Sequence, residues 1–180
     1  MKRLLILGVI LFAACNKIDF EVGDINPKVL QQHEFWRMGP GCGLEIYDAD
    51  GNYKTSANIN GGFYMETEIY DYLQIKDSEI RRFWYIHNWE NDTYRKIQLT
   101  TSPADFSKRG KYIGREFMVR NFDDIIEGKV TKMTDEEIII YIDITDKERH
   151  RPGEYLYLKI VLQRAEPEKE FLELFADELN

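Results

Sequence analysis

The sequence predicts an all-β domain, an antiparallel meander followed by a short C-terminal helix. Segments rich in β-branched and aromatic residues alternate with residues that tolerate tight turns. No long helical pattern lies between these segments, which argues against a parallel α/β sheet. The predicted strands cover residues 43–48, 53–59, 62–75, 80–89, 94–101, 112–121, 125–133, 136–145 and 154–164, and residues 29–38 form either a short helix or an irregular first strand.

Two of the predicted strands have side chains to bury on both faces. In residues 63–75 the odd positions are mostly apolar, whereas the even positions combine Tyr64, Tyr70 and Tyr72 with polar residues. Residues 82–89 carry apolar or aromatic side chains on both faces. This pattern is typical of a closed barrel with something packed outside it, or of a central strand in a sandwich.

The C-terminal segment changes from a strand period to a helical period. Phe171, Leu174, Phe175 and Leu179 fall on one stripe of a helix, and acidic residues precede them, where the helix dipole favours negative charge. We expect a short amphipathic helix. Its apolar stripe packs on the sheet or, alternatively, contacts a partner.

The first fifteen residues have the pattern of a bacterial secretory signal. Lys2 and Arg3 precede an apolar run of about nine residues, which is shorter than the roughly 20 residues needed to cross a bilayer core. The ending Phe-Ala-Ala-Cys resembles the lipobox of bacterial lipoproteins. That resemblance implies that residues 1–14 are removed and that the acylated Cys15 anchors the protein to a membrane. We expect the outer membrane, because Asn16 stands where an Asp would favour retention in the inner membrane of some bacteria.

The predicted organisation is a signal peptide, a lipidated N-terminus with a tether over 15–28, and a single domain over 29–180. Removal of Lys2 and Arg3 leaves 22 Lys and Arg against 32 Asp and Glu, a formal charge of −10. Such a charge argues against nucleic acid as a partner and is compatible with a basic protein partner. It is also typical of small soluble domains.

Residues 126–165 carry a family resemblance. The segments EGKVTKMTDEEIIIYIDI and EYLYLKIVLQRA, with Met133-Thr134-Asp135 in the turn and Arg164 near the end, resemble the last hairpins of the short lipocalin-like lipoproteins of Gram-negative bacteria. The resemblance implies an up-and-down barrel of about eight strands with an open mouth. It also implies an internal cavity for a small, often apolar, ligand.

The sequence offers little support for catalysis, a metal or a cofactor. Asp48, Asp50 and Asn52 place oxygen atoms at alternate positions, but the spacing is that of a hairpin turn and not of a calcium loop. The glycine-rich stretch 39–43 lacks the Lys-Ser/Thr of a phosphate-binding loop. Cys42 is expected to be a small buried side chain. We therefore expect a protein that is not an enzyme.

The aromatic residues supply the remaining functional indication. They are concentrated in two neighbouring strands, where rings either fill a core or line a ligand cavity. The leading hypothesis is a barrel that binds a small hydrophobic or amphipathic ligand, with the ligand-binding candidates Tyr64, Tyr70, Tyr72, Trp84 and Ile86. The alternative is a protein-interaction role, such as an immunity protein against a toxin delivered to the periplasm, or an accessory subunit of a surface or glycan-binding assembly.

Overall fold

The computed structural model describes residues 18–58, 67–76, 78–108, 110–117, 120–147 and 151–179. The predicted signal peptide and Cys15 lie outside these residues. The described helices are α1 (Val29–Gln32), α2 (Lys169–Leu174) and α3 (Ala176–Leu179), and a 3₁₀ turn covers Thr145–Lys147. The strands are β1 (Phe35–Met38), β2 (Gly43–Tyr47), β3 (Tyr53–Asn58), β4 (Thr67–Lys76), β5 (Glu79–Asn88), β6 (Thr93–Asp105), β7 (Lys111–Phe117), β8 (Arg120–Met133), β9 (Glu137–Asp143) and β10 (Tyr155–Arg164).

The strands form one antiparallel sheet that closes into a ring of eight. Neighbouring strands follow the order β1, β4, β5, β6, β7, β8, β9, β10, and pairing of β1 with β10 closes the ring. In the closing ladder Trp36 lies opposite Arg164, and Met38 lies opposite Leu162. A closed up-and-down ring of eight is the lipocalin arrangement, so the predicted fold class is confirmed.

The two remaining strands extend this ring at one place. β2 pairs with β10 next to the site where β1 pairs with it, so β1 and β2 lie end to end along the same partner, and β3 then pairs with β2. The glycine-rich stretch 39–43 connects β1 to β2, and Gly41 has a φ of +89°, in the left-handed region that favours glycine. This stretch is therefore a bend between two strands.

Two segments that lie between the predicted strands, 102–103 and 123–124, are instead parts of strands. Ser102 and Pro103 lie within β6, opposite Ile80 and Glu79, because the long β5–β6 ladder continues through them. Residues 123–124 lie within β8, since the ladder of β8 with β7 extends to the pair Phe117 and Arg120. Pairing with a neighbouring strand overrides the turn preference of Ser, Pro and Asp.

The barrel has two different ends. The connections β2–β3, β5–β6, β7–β8 and β9–β10 lie at the end that we call the open end, and those of β4–β5, β6–β7 and β8–β9 lie at the closed end, together with α1. Near the closed end the interior is tightly packed, and Leu73 is 1% exposed. Along β6 towards the open end, Gln98 faces the interior and is exposed.

Tyr112 fills the barrel interior at the level of two glycines. It lies opposite Gly128 in the β7–β8 ladder and is fully buried. A Cβ atom added at Gly114 would lie 2.0 Å from the Tyr112 hydroxyl oxygen. Glycine at these positions thus makes room for the tyrosine ring.

The C-terminal helices cover an aromatic cluster on the outside of the barrel. Phe35, Tyr72, Phe83 and Tyr85 project outwards from β1, β4 and β5 and contact Phe171 and Phe175. The ring centroids of Tyr72 and Phe171 are 4.4 Å apart. The amphipathic helix predicted from the sequence is confirmed, and its apolar stripe packs on the sheet.

The described part of the predicted tether, residues 18–28, lies against the barrel. The backbone of Gly23 donates to the Thr131 carbonyl oxygen at 2.8 Å, and Ile25 forms a parallel bridge with Met133. The end of β8 has no β7 neighbour here, because β7 starts opposite Lys129. The segment therefore supplies hydrogen-bond partners to an exposed strand edge. None of the described helices combines the length and the apolar character needed to cross a membrane.

Substitution of Gly128 by alanine is expected to destabilise the barrel. The added Cβ would lie 2.8 Å from Ile140 Cγ2 and 3.1 Å from Ile142 Cγ1, and overpacking of this kind costs about 1–3 kcal/mol. Urea unfolding followed by circular dichroism measures the change. The control is Gly23→Ala, whose Cβ would only reach ordinary contact with Thr131 at 3.6 Å. Equal stability of the two variants would contradict the packing described here.

Substitution of Phe171 by alanine is expected to lower the free energy of unfolding by about 3 kcal/mol, because it removes a fully buried ring and leaves a cavity. The neighbouring Leu172 is 43% exposed, so Leu172→Ala is the matched control and should change stability by less than about 1 kcal/mol. Thermal and urea unfolding of both variants measure these changes and show whether the C-terminal helix stabilises the barrel.

Candidate functional site

A charged and aromatic group of side chains lies on the interior face in the middle of β4 and β5, from the level of Leu73 towards the open end. Alternation along β4 and β5 directs Asp71, Arg82, Trp84 and Ile86 to the same side as the core residue Leu73. All four are half-buried. We call these four residues the open-end site.

The geometry of the open-end site is set by Arg82. Its Nη2 donates to Asp71 Oδ2 at 2.7 Å, and its guanidinium carbon lies 4.0 Å from the centroid of the Trp84 ring. The carboxylate balances the charge of the guanidinium, and the indole face packs against its plane. Arginine is always protonated, so the guanidinium keeps its charge across the physiological pH range.

Two indole groups inside the barrel have unused hydrogen-bonding capacity. The Nε1–H groups of Trp36 and Trp84 are buried and have no acceptor among the described residues. Trp36 lies opposite Leu73, and Leu73 lies opposite Arg82, so Trp36 belongs to the adjoining interior surface. A buried donor without an acceptor is costly, and a bound group with an acceptor oxygen would remove that cost.

The structure separates the five ligand-binding candidates. Trp84 and Ile86 lie together on the interior face, two residues apart on β5. Tyr72 lies on the outer face, fully buried beneath the C-terminal helices, so it does not line the interior. Its hydroxyl accepts from the backbone N–H of Glu168 at 3.3 Å. Tyr64 and the side chain of Tyr70 lie outside the described residues.

The strand register explains why Tyr72 and Trp84 lie on opposite faces of the sheet. Trp84 lies opposite Asp71, so the interior residues of β5 share a face with the odd positions of β4. Asp71 and Arg82 were missed. Asp71 did leave a signal, because it is a charged residue among the apolar odd positions of that strand. A charge on an otherwise apolar face is a recognised indication of a functional position.

The acidic turn at 48–52 is a hairpin turn, as predicted. Asp48 Oδ1 accepts from the backbone N–H groups of Asp50 at 3.0 Å and of Asn52 at 2.8 Å. These hydrogen bonds hold the pKa of Asp48 below its usual value. No group of three or more His, Cys, Asp or Glu side chains with metal-binding geometry occurs in the described part of the chain.

Cys42 is buried, as expected, and its thiol links the bend between β1 and β2 to β10. Its Sγ accepts from the Val161 backbone N–H at 3.1 Å and donates to the Val161 carbonyl oxygen at 3.2 Å. Burial raises the pKa of the thiol. Neither described histidine contacts it, since His33 pairs with Asp135 and His87 with Asp92.

Two pockets lie away from the open-end site. The first, of about 760 Å³, is at the closed end between α1 and the neighbouring turns and is lined mainly by polar residues. The second, of about 600 Å³, lies between the docked N-terminal segment and the outer faces of β8, β9 and β10. Neither is lined by Asp71, Arg82 or Trp84.

Comparison with known proteins gives a weak likeness to solved structures. Bovine odorant binding protein in complex with a selenium-containing odorant matches with a TM-score of 0.36 and 12% identity over 83% of each chain. The same protein complexed with its natural ligand, and its complex with undecanal, each match with a TM-score of 0.36 and 13% identity over 88% of this chain and 86% of that one. No protein-family profile and no curated protein matches the sequence.

The Cys42 thiol is expected to resist modification in the folded protein. Burial and the raised pKa keep it protonated and inaccessible, so a thiol reagent such as dithionitrobenzoate at pH 8 should react only after denaturant is added. The rate of absorbance change with and without urea measures this. Rapid reaction of the native protein would contradict the packing of this bend.

Proposed function

We propose that the protein is a lipid-anchored envelope protein whose barrel binds a small amphipathic ligand at the open-end site, and that it acts by binding and not by catalysis. Acylation of Cys15 attaches it to the membrane, with the outer membrane as the proposed location. The ligand places an acceptor group near Arg82 and Trp84 and its apolar part against the interior side chains of the barrel.

The observation that carries the proposal is the composition of the open-end site. An ion pair and an indole N–H without an acceptor among the described residues stand on the interior face, between the packed core and the open end. Ligand sites are typically apolar cavities with a few convergent polar groups. The buried Trp84 N–H favours a ligand with an acceptor oxygen.

Displacement of a fluorescent apolar probe, 1-N-phenylnaphthylamine, tests both parts of the proposed specificity. Dodecanol and dodecanoic acid should displace the probe, whereas dodecylamine, which is a cation without an acceptor in its protonated form, should displace it more weakly. Because a neutral hydrogen bond contributes about 1 kcal/mol, Trp84→Phe should weaken dodecanol binding about fivefold.

Trp89→Phe is the matched control for this measurement. Trp89 is 50% exposed on the turn between β5 and β6, so its replacement should leave affinity unchanged while removing emission from a surface indole. Failure of every compound to displace the probe from folded protein would contradict ligand binding. Equal affinity for the amine and the alcohol would contradict recognition of an acceptor group.

A further inference from the structure

The docked N-terminal segment is fixed to the barrel by Phe20. The Phe20 ring stacks on Tyr141 with centroids 3.8 Å apart and an interplanar angle of 15°, and it meets Tyr157 edge-on at 4.9 Å. Tyr47 forms a third side at 5.8 Å. Burial raises the pKa of Tyr157 to about 12. These three tyrosines form an aromatic box on the outer faces of β2, β9 and β10.

Polar contacts beside the box hold the same segment. Lys129 Nζ donates to Asp19 Oδ1 at 2.6 Å and to the Phe20 carbonyl oxygen at 2.5 Å. The Ile18 backbone N–H donates to the Tyr157 hydroxyl oxygen at 3.3 Å. Residues 18–26 are therefore anchored along their length and cannot act as a long flexible tether.

This docking limits how far the barrel can lie from an acylated Cys15. Three residue steps separate Cys15 from Ile18, and a fully extended chain covers about 10 Å over that distance. Ile18 itself lies at the open end, because its Cδ1 atom is 3.6 Å from the position of a Cβ on Gly51, in the β2–β3 turn. The open end must therefore lie close to the lipid to which Cys15 is attached.

Two exposed aromatic residues at the open end are suited to a bilayer surface. Trp89, at the β5–β6 turn, is 50% exposed, and Tyr53, next to the β2–β3 turn, is 56% exposed. Tryptophan and tyrosine favour the interface between lipid and water, where the apolar ring and the polar tip are both accommodated. The same turns carry Asp50 and Glu90, which favour a zwitterionic surface over a strongly anionic one.

We propose that the open end of the barrel rests on the surface of a zwitterionic phospholipid bilayer, held there by the docked segment between the aromatic box and Cys15. This inference rests on the acylation included in the proposed function. In this orientation an amphipathic molecule can pass between the bilayer and the open-end site with little exposure to water. The bilayer is then the source of the ligand.

Site-specific quenching in vesicles tests the orientation. Full-length acylated protein carrying Asp50→Cys or Asp135→Cys is labelled with a small fluorophore and reconstituted into phosphatidylcholine vesicles that contain a nitroxide on the lipid headgroup. Asp50 and Asp135 lie at the open and closed ends respectively, and both are exposed. A ten-residue strand spans about 30 Å, so quenching at position 50 should exceed that at position 135 at least about twofold.

Release of the docked segment should abolish this difference. Phe20→Ala removes the ring from the aromatic box and lengthens the free tether, so quenching at the two positions should become similar. Lys129→Gln provides a second way to release the segment without altering a buried ring. Val22→Ala is the control, because Val22 is 49% exposed in the same segment and lies outside the box.

Equal quenching at the two positions in the unmodified background, or stronger quenching at position 135, would overturn the orientation. A difference that persists in both release variants would overturn the role of the docked segment. Mass spectrometry of the reconstituted sample separates this inference from the proposed function. Protein without acyl chains on Cys15 would refute the anchoring itself, whereas acylated protein without the quenching difference would refute the orientation alone.

Discussion

The closure of the ring between β1 and β10 is the constraint on which the other features depend. Only three residue pairs form this ladder, from Trp36 opposite Arg164 to Met38 opposite Leu162. Together with the two pairs between β1 and β4 they close the ring, and pairing protects strand edges that would otherwise invite association with other chains. The bend at 39–43 allows the same stretch of chain to continue along β10 as β2, and the Cys42 thiol links that bend to Val161.

Closure also gives each strand an inner face and an outer face, and the two faces pack against different groups. The inner face is packed near the closed end and contains the Arg82–Asp71 pair near the open end. The outer face would leave many aromatic rings in water if it were uncovered. Burial of these rings provides the driving force for docking of the C-terminal helices on β4 and β5 and of Phe20 on β9 and β10.

These two external segments differ in what they imply for function. The C-terminal helices bury a cluster of rings and hold Lys96 in an ion pair with Glu178, so their role is structural. The N-terminal segment connects the barrel to the residue proposed to carry lipid, so the same kind of packing there sets the position of the barrel relative to a membrane. In the proposed function, the interior site and the docked segment together place the entrance of the barrel near the source of its ligand.

The sequence by itself determined the strand content, the C-terminal amphipathic helix, the buried character of Cys42 and the hairpin turn at 48–52, because each follows from local periodicity or turn chemistry. Tertiary structure alone decided which faces meet. The register that places Trp84 opposite Asp71 separates Trp84 from Tyr72, and a local pattern carries no information on pairing between strands. For the same reason the docking of residues 18–26 could not be foreseen, since the aromatic box that binds Phe20 assembles only when Tyr47, Tyr141 and Tyr157 are brought together by three different strands.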